Sequence, residues 1–449
     1  MITNPCASGD IVLDLRRRVV EALPYRDELL LNLIDCLTVG PRMATPAELP
    51  TSPLWGFAGA SLYAGLRGAC EPTSLAALRQ ARQEWWQQWG ESLREPDAQL
   101  GQWRLRVLDA TNYDRPKTRT VRVGYVHGAE GMKPGHGVSV LSERAAEGSW
   151  MLPLEMAVIP VEQSPTACGA AQVVDYVRRY GWQPQEVLAV DAAYTNEPTL
   201  RPMVAAGVNV LGRVSSKRVF YLPPPPYRGQ GRPRVRGRKL KLHDARTLPE
   251  PDQHQRVEVA EGGWYEISQW HDVRMRQWPT QPLVLYRVWE YRADSTRRYK
   301  RPLWVIYIGR TVAPLPQEAQ AIYAHRFDIE PSLRLMKGEL SLDKGQFNGQ
   351  HAEPRVALWV EVVATVLWML FALRKFAQSD GVAWPKWWRA RRLTPGAVRR
   401  VALGLFVKLG IRPPQPQVRG KSPGRAVGTR LEPRKRYRIF RKRKRRAAA

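Results

Sequence analysis

Four side chains of complementary chemistry lie close together between residues 323 and 337. Tyr323, Arg326, Glu330 and Lys337 are offset by 0, 3, 7 and 14 residues. A helix advances about 100° per residue, so these offsets fall within about 60° of one another on one face. The spacing therefore predicts a helical surface on which Glu330 binds a metal ion while the flanking groups contact phosphates.

Two aspartates follow short apolar runs and form a second predicted feature. Leu105–Asp109 and Val187–Asp191 each have the pattern of a strand that ends in a carboxylate. Stability explains such positions poorly, because desolvating a charge at a sheet edge costs free energy unless a partner compensates it. Asp109, Asp191 and Glu330 together could bind two Mg²⁺ ions, which prefer oxygen ligands. Two such ions can catalyse phosphoryl transfer.

Each carboxylate also has a plainer interpretation. An aspartate after a strand is usually a turn residue or a helix cap, and only the order of three acids within a mixed sheet favours chemistry. Asp114, in a predicted turn, and Asp175, within a predicted helix, are weaker alternatives to Asp109. Three further acids near Glu330 are expected to be solvated helix charges: Asp328, Glu339 and Asp343.

The elements that must position these acids follow an α/β pattern across residues 101–214. After the first strand, meandering strands are expected at 121–126, 137–141 and 150–159. A helix from Ser164 to Tyr180, the strand that ends at Asp191, a helix over 199–206 and a strand over 208–211 complete the pattern. This order predicts a mixed α/β sheet with carboxylates at strand ends.

The other regions differ in composition. Residues 1–100 are expected to form a helical N-terminal domain, either a small helical domain with aromatic packing or a DNA-binding domain. Residues 215–301 are expected to form a β-rich basic insertion domain, and 302–378 the second part of the core. Residues 379–449 form a basic C-terminal region, and 434–446 are almost entirely basic. The apolar run 356–373 is interpreted as a buried core helix, with a membrane span as the alternative.

The charge of the chain indicates a polyanionic partner. Its 449 residues include 70 Lys and Arg against 41 Asp and Glu, which gives a net charge of +29. Nucleic acid is the first expectation, because neutralising phosphates releases counterions, and an anionic membrane surface is the second. A basic run within 228–241 is expected to contact DNA, with a localisation signal or a solvated loop as alternatives: Arg232, Arg234, Arg236, Arg238 and Lys239.

The cysteines and the N-terminus predict a cytoplasmic protein. The 4 cysteines have no regular spacing, which argues against zinc fingers and a disulfide framework. Residues 1–10 are polar and do not have the pattern of a signal peptide.

The order Asp, Asp, Glu, with Tyr-x2-Arg-x3-Glu-x6-Lys around the glutamate, resembles the bacterial insertion-sequence transposases of the DDE superfamily. The resemblance covers about residues 100–378 and is closest to the subgroup defined by that signature. It implies a ribonuclease-H-like core interrupted by a β insertion. Asp109, Asp191 and Glu330 would be the catalytic metal ligands, for Mg²⁺ or Mn²⁺ as a substitute. Tyr323, Arg326 and Lys337 would position the phosphates of the transposon end.

The expected function is therefore that of a DNA transposase. It would bind terminal inverted repeats of double-stranded DNA, cleave the ends and join them to target DNA as a homodimer or larger synaptic complex. It would be cytoplasmic, associated with the nucleoid when bound to DNA, and would not need a membrane. The alternatives are a ribonuclease-H-like nuclease without strand transfer and a non-catalytic DNA-binding protein derived from a transposase.

Overall fold

The computed structural model divides the chain into two compact units. The first comprises Met1–Pro96, Ala110–Pro165 and Asp328–Ala449, and the second comprises Asp97–Asp109 and Thr166–Phe327. The structure describes residues 5–23, 27–42, 45–52, 54–115, 118, 120, 122–128, 131–147, 150–227, 229, 231–259, 262–345, 347, 352–379, 393–411, 428 and 437–440. Most of the predicted basic segment 434–446, and the Trp-rich segment after Ser379, lie outside the described residues.

Helices and strands alternate along much of the chain. The helices are α1 (Pro5–Glu21), α2 (Asp27–Val39), α3 (Gly59–Gly68), α4 (Pro72–Leu93), α5 (Pro165–Tyr180), α6 (Glu197–Ala205), α7 (Pro316–His325), α8 (Ile329–Gly338), α9 (Ala352–Ser379) and α10 (Pro395–Lys408). The strands are β1 (Arg104–Asp114), β2 (Gly124–Gly128), β3 (Gly131–Ala146), β4 (Trp150–Val158), β5 (Glu186–Val190), β6 (Asn209–Val214), β7 (Val219–Tyr221), β8 (Lys239–Lys241), β9 (Gln253–Glu258), β10 (Trp264–Met275), β11 (Pro282–Tyr291) and β12 (Leu303–Ile308). The fold is thus mixed α/β.

The first unit is organised around the long apolar helix α9. Helices α1, α2, α4 and α10 and strand β4 pack against it. Within the described residues, α9 is the one helix long and apolar enough to cross a membrane, and 94% of its most apolar window is buried inside the protein. Its burial agrees with the interpretation of 356–373 as a core helix.

Aromatic side chains join the ends of the sequence in this core. Trp368 of α9 packs edge-on against Trp85 and Trp86 of α4, with ring centroids 5.8 and 5.5 Å apart. The Trp368 indole nitrogen donates a hydrogen bond to the Pro153 carbonyl of β4. The helices of residues 1–100 are therefore packed on an element more than 250 residues later in the sequence.

The first unit also contains the antiparallel pairs β2–β3 and β3–β4. These strands occupy the region where three meandering strands were expected, but β2 begins and ends later than 121–126 and β3 is much longer than 137–141. The strand continues past Leu141, where the polar residues Ser142, Glu143 and Arg144 are buried as well, and an apolar pattern does not reveal them.

A buried histidine in β3 should make the stability of this unit depend on pH. His136 is 4% exposed, and its Nε2 has no hydrogen-bond partner among the described residues. Burial, and then the cation of Arg115, lower the pKa of His136 to about 4. An unfolded chain, with an ordinary pKa of about 6.5, binds more protons between these values, so stability falls as the pH drops through that window.

In the wild type, the free energy of unfolding should be about 2 kcal/mol lower at pH 5 than at pH 7 because of His136. We expect His136→Phe to abolish this part of the pH dependence. The ring of His136 already packs on Tyr113, with centroids 5.4 Å apart, so phenylalanine suits the site. Urea unfolding at the two pH values measures the effect. The exposed-site variant His127→Gln should keep the wild-type pH dependence, and an unchanged pH dependence in His136→Phe would contradict the assignment.

The second unit is a mixed sheet. Its strand order is β1-β5-β6-β12-β11-β10-β7-β8, and β9 pairs with β10. Strands β1, β5 and β6 are parallel, while β12 and the strands beyond it pair antiparallel. Strands β7–β11, from residues 215–301, are hydrogen-bonded into this same sheet. The domain boundaries inferred from the sequence stay a prediction.

Candidate active site

Asp109 and Asp191 follow the last paired residues of two neighbouring parallel strands. The β1–β5 register runs from Arg104 opposite Glu186 to Leu108 opposite Val190, and the next residue of each strand is an aspartate. Neighbouring strands lie about 4.8 Å apart, so this register places the two aspartates at one level of the sheet. The second unit alone supplies both.

The prediction that Asp109 ends its strand is wrong, because β1 continues to Asp114. The apolar run stops at Asp109, but Thr111 and Tyr113 are buried at alternate positions and extend the strand. Pairing with β5 nevertheless stops at Leu108 because β5 itself ends at Val190. Asp114 is accordingly the exposed last residue of a strand and not a turn residue.

Asp191 also caps a short 3₁₀ helix. Its Oδ1 accepts a hydrogen bond from the backbone N–H of Ala192, the first residue of the helix Ala192–Tyr194. The simpler interpretation of a strand-end aspartate as a cap therefore holds at this position. A carboxylate has two oxygens and about four lone-pair sites, so capping leaves acceptor capacity for a ligand.

A buried tyrosine lies in the electrostatic field of both aspartates. Tyr194 is 3% exposed. Burial, and then the negative charges of the Asp109 and Asp191 carboxylates, raise the pKa of the Tyr194 phenol far above its ordinary value. Tyr194 is not among the functional residues predicted above, although it lies only three residues after Asp191. It follows two consecutive alanines, Ala192 and Ala193, which give no signal of burial.

We expect Tyr194→Phe to keep the fold and raise the melting temperature slightly or leave it unchanged. The Tyr194 hydroxyl has no hydrogen-bond partner among the described residues, and removing an unsatisfied buried hydroxyl relieves a cost of about 1–3 kcal/mol. Differential scanning calorimetry measures the change. A clear drop in melting temperature would show instead that the hydroxyl has a stabilising partner.

Arg326 is the cationic partner of Asp109. Its Nη1 lies 3.6 Å from Asp109 Oδ2, and its guanidinium carbon lies 4.1 Å from the ring centroid of Phe327. Arg326 is 6% exposed and Tyr323 is 1% exposed. Burial raises the pKa of Tyr323. The positive charges of Arg326 and Arg213 oppose that shift, and the negative charge of Asp191 adds to it. Tyr323, Arg326 and the two aspartates thus belong to one electrostatic cluster of the second unit.

The prediction of one continuous helix from Tyr323 to Lys337 is wrong. Helix α7 ends at His325, a 3₁₀ turn covers Arg326–Asp328, and α8 begins at Ile329. Pro331 explains the break, because proline lacks an N–H and its ring clashes with the carbonyl four residues earlier. Within a helix, proline is tolerated best in the first turn, and Pro331 lies in the first turn of α8. The four signature side chains therefore do not share one helical face.

Glu330 and Lys337 belong to the first unit. Glu330 is exposed in the first turn of α8. Burial lowers the pKa of Lys337, and the charges of Asp343 and Asp114 partly oppose that shift. Three nearby acids form ion pairs of 3.0–3.1 Å: Asp328 with Arg144, Glu339 with Arg399, and Asp343 with Lys344.

The donor chemistry of the aspartate pair fits a hard divalent cation. Asp109 and Asp191 supply carboxylate oxygens, and both residues are only partly buried, so an ion could reach them. Within the described part of the chain, no three His, Cys, Asp or Glu side chains are grouped closely enough to hold a metal ion. The roles of Glu330 and of the metal stay predictions.

The predicted basic run forms an exposed arm. Residues 222–238 connect β7 to β8, and Gly237 and Leu222 are hydrogen-bonded at the base of this connection. The five predicted DNA contacts are all exposed: Arg232, Arg234, Arg236, Arg238 and Lys239. Arg228 lies outside the described residues. Exposure of this kind suits a phosphate contact, which remains a prediction.

Comparisons with known proteins identify one family. The sequence profile described as DDE superfamily endonuclease matches residues 19–272, more than half of the chain, and the match includes Asp109 and Asp191. A search of curated proteins found no match. A cryo-EM structure of the piggyBac transposase synaptic complex with hairpin DNA is similar at 10% sequence identity and a TM-score of 0.41, over 90% of this chain and 80% of that one. On the profile match, this chain belongs to the DDE superfamily endonuclease family.

Proposed function

We propose that this protein is a DNA transposase of the insertion-sequence subgroup with the Tyr-x2-Arg-x3-Glu-x6-Lys signature. The observation that carries the proposal is the parallel register ending at Leu108 and Val190, which is followed by one aspartate on each strand. Family membership and the net charge of +29 support it. The proposed core is ribonuclease-H-like, and the proposed setting is the cytoplasm of a bacterium.

In this proposal Asp109, Asp191 and Glu330 are the ligands of Mg²⁺, with Mn²⁺ as a substitute. When bound, two such ions would activate the attacking oxygen and stabilise the leaving oxygen of the phosphodiester. Arg326 has a second role before any substrate arrives: its cation at 3.6 Å from Asp109 reduces the repulsion between two neighbouring carboxylates.

Double-stranded DNA is the proposed partner. Residues 1–100 would recognise terminal inverted repeats, and the exposed arm with Arg232, Arg234 and Lys239 would contact backbone phosphates. Tyr323, Arg326 and Lys337 are proposed to position the phosphates at the transposon end. Two ends must be held together for joining, so a homodimer or larger synaptic complex is the proposed assembly.

A mini-transposon assay tests this function. The donor DNA carries a marker between the inverted repeats found on either side of the coding sequence, and purified full-length protein is incubated with donor, target plasmid and Mg²⁺. The expected products are donor ends cut at the repeats and marker joined to target with short target duplications. Cleavage without joined products would favour the nuclease alternative, and end binding without cleavage would favour the non-catalytic one.

A further inference from the structure

A buried threonine closes the turn that begins at Asp191. Thr195 is 0% exposed and directly follows the 3₁₀ helix Ala192–Tyr194. Two backbone hydrogen bonds define this turn: the Tyr194 N–H donates to the Asp191 carbonyl at 3.0 Å, and the Thr195 N–H donates to the Ala192 carbonyl at 3.4 Å. The second bond is long for an N–H group and a carbonyl oxygen, so the backbone alone holds the end of the turn weakly.

The Thr195 hydroxyl joins this turn to strand β6. Its Oγ1 lies 2.9 Å from the Ala192 carbonyl oxygen and 2.9 Å from the Arg213 carbonyl oxygen. A hydroxyl has one hydrogen, which these two carbonyls share. The same side chain therefore strengthens the weak end of the turn and connects it to a strand residue 18 positions later in the sequence.

Two further residues of the second unit hold Thr195 in place. A Cβ atom at Gly212 of β6 would overlap with Thr195 Cγ2 and would lie 2.8 Å from Val190 Cγ2, so glycine is what lets the turn pack this closely on the strand. An Arg218 Nη2–H donates to the Thr195 carbonyl at 2.7 Å. Thr195 is thus held at its methyl group, its hydroxyl and its carbonyl.

Ala192 links Thr195 to the Asp191 carboxylate. Its N–H donates to Asp191 Oδ1, and its carbonyl accepts from the Thr195 hydroxyl. Because both groups belong to one residue, a rotation of the Ala192 backbone after loss of the hydroxyl would also move the donor that orients the carboxylate. Hydrogen-bonded partners of this kind, one step away from a metal ligand, fix the direction of the ligand and so strengthen metal binding.

We propose that Thr195 is a positioning residue that orients the Asp191 carboxylate for a divalent cation. Its side chain is fully buried, so it acts through Ala192 and not by contact with DNA. The inference rests on the proposed function, since it takes Asp191 as a metal ligand. It adds a residue that belongs neither to the Asp, Asp, Glu set nor to the Tyr-x2-Arg-x3-Glu-x6-Lys signature.

Binding of Mn²⁺ to the full-length protein without DNA tests this role apart from any reaction. Electron paramagnetic resonance measures the free Mn²⁺ during a titration, and the relevant binding is the part that Asp191→Ala removes. We expect Thr195→Val, which keeps the shape of the side chain and removes the hydroxyl, to weaken this binding about tenfold. Thr195→Ser, which keeps the hydroxyl, should restore most of the affinity. The Mg²⁺ concentration for half-maximal end cleavage should rise in Thr195→Val by a similar factor.

Thr247→Val is the matched control. The Thr247 hydroxyl also donates to a carbonyl three residues earlier, that of Asp244 at 2.8 Å, and lies 3.2 Å from the Lys241 carbonyl oxygen. Like the turn after Asp191, its 3₁₀ helix is capped by an aspartate, Asp244. Both valine variants should lower the melting temperature by similar amounts, because each removes a hydroxyl that bonds to two carbonyls. Only Thr195→Val should bind Mn²⁺ more weakly.

The outcomes separate this inference from the proposed function. Equal Mn²⁺ affinity in the two valine variants, whether unchanged or weakened, would overturn the positioning role while wild-type binding and cleavage stand. Failure of Thr195→Ser to recover affinity would also overturn it, because the hydroxyl would then not be the group that matters. A wild-type protein that neither binds Mn²⁺ nor cleaves ends would contradict the proposed function, and this inference with it.

Discussion

Replacing Asp191 by alanine should reduce DNA-end cleavage by about 1,000-fold or more, which corresponds to about 4 kcal/mol of activation free energy. The reason is that Asp191 is one of the two carboxylates that the β1–β5 register brings to one level of the sheet. Loss of either should remove most of the metal-dependent stabilisation of the transition state. Asp109→Ala should have an effect of similar size. Cleavage is measured on labelled transposon ends in Mg²⁺, and end binding is measured separately in EDTA.

End binding should change little in these variants, because most of the proposed DNA contacts, in residues 1–100 and in the exposed arm, do not involve Asp109 or Asp191. The control Asp175→Ala removes an exposed carboxylate of α5 that pairs only locally with Arg178, and it should cleave like the wild type. These two comparisons separate a catalytic loss from a loss of DNA binding or of folded protein.

The cap formed by Asp191 makes a further control necessary. Alanine removes both the charge and the hydrogen bond to Ala192, whereas asparagine is as good a cap as aspartate and removes only the charge. Asp191→Asn should therefore melt like the wild type and still fail to cleave. Full cleavage by Asp191→Asn would contradict a metal-binding role and leave Asp191 as a structural cap.

Asp109 and Asp191 could be predicted to follow buried strand residues because the residues before each of them are strongly apolar. Leu105, Val107 and Leu108, like Val187–Val190, are almost completely buried, and such runs identify inner strands of a sheet with little ambiguity. The parallel pairing of β1 with β5 could not be predicted from the sequence. It joins residues about 80 positions apart, and no local pattern specifies which strands become neighbours.

The signature region shows where local patterns mislead. The helical spacing is correct within α7 and within α8. The prediction of one helical face is wrong because it assumes a continuous helix through Arg326–Asp328, where the chain forms a 3₁₀ turn. Pro331 directly follows Glu330 in the sequence. Its steric effect reaches four residues back, so the helix breaks before Glu330.

Tyr194 was missed for a different reason. Its environment depends on β1 and β5 being adjacent, since Asp109 and Asp191 both act on it. A side chain whose role comes from long-range pairing gives no signal in its own neighbourhood. The same holds for Arg213, which follows Gly212 of β6 and influences Tyr323.

The second large effect is expected for Glu361, an acid in the middle of the apolar helix α9. Its side chain is 0% exposed and accepts from Arg79 Nε at 2.6 Å and from Arg82 Nη2 at 2.5 Å. Arg82 is itself 0% exposed and also donates to Thr365 at 2.9 Å. Glu361→Leu should therefore destabilise the first unit by about 3–5 kcal/mol, because it leaves a buried guanidinium without its counter-charge. Urea unfolding followed by circular dichroism measures the loss.

A double variant distinguishes a broken ion pair from a simple packing defect. When both charges of a buried pair are replaced by apolar groups, the result is often neutral or stabilising, so Glu361→Leu with Arg82→Leu should recover most of what Glu361→Leu loses. Arg79, whose side chain is 22% exposed, keeps its hydrogen bond to the Met156 carbonyl in both variants. The exposed pair Arg17–Glu21 provides the control, and Glu21→Gln should change stability by less than about 0.5 kcal/mol. A double variant less stable than Glu361→Leu would show that the charges of α4 and α9 stabilise the helical core directly, and that their burial is not merely compensated.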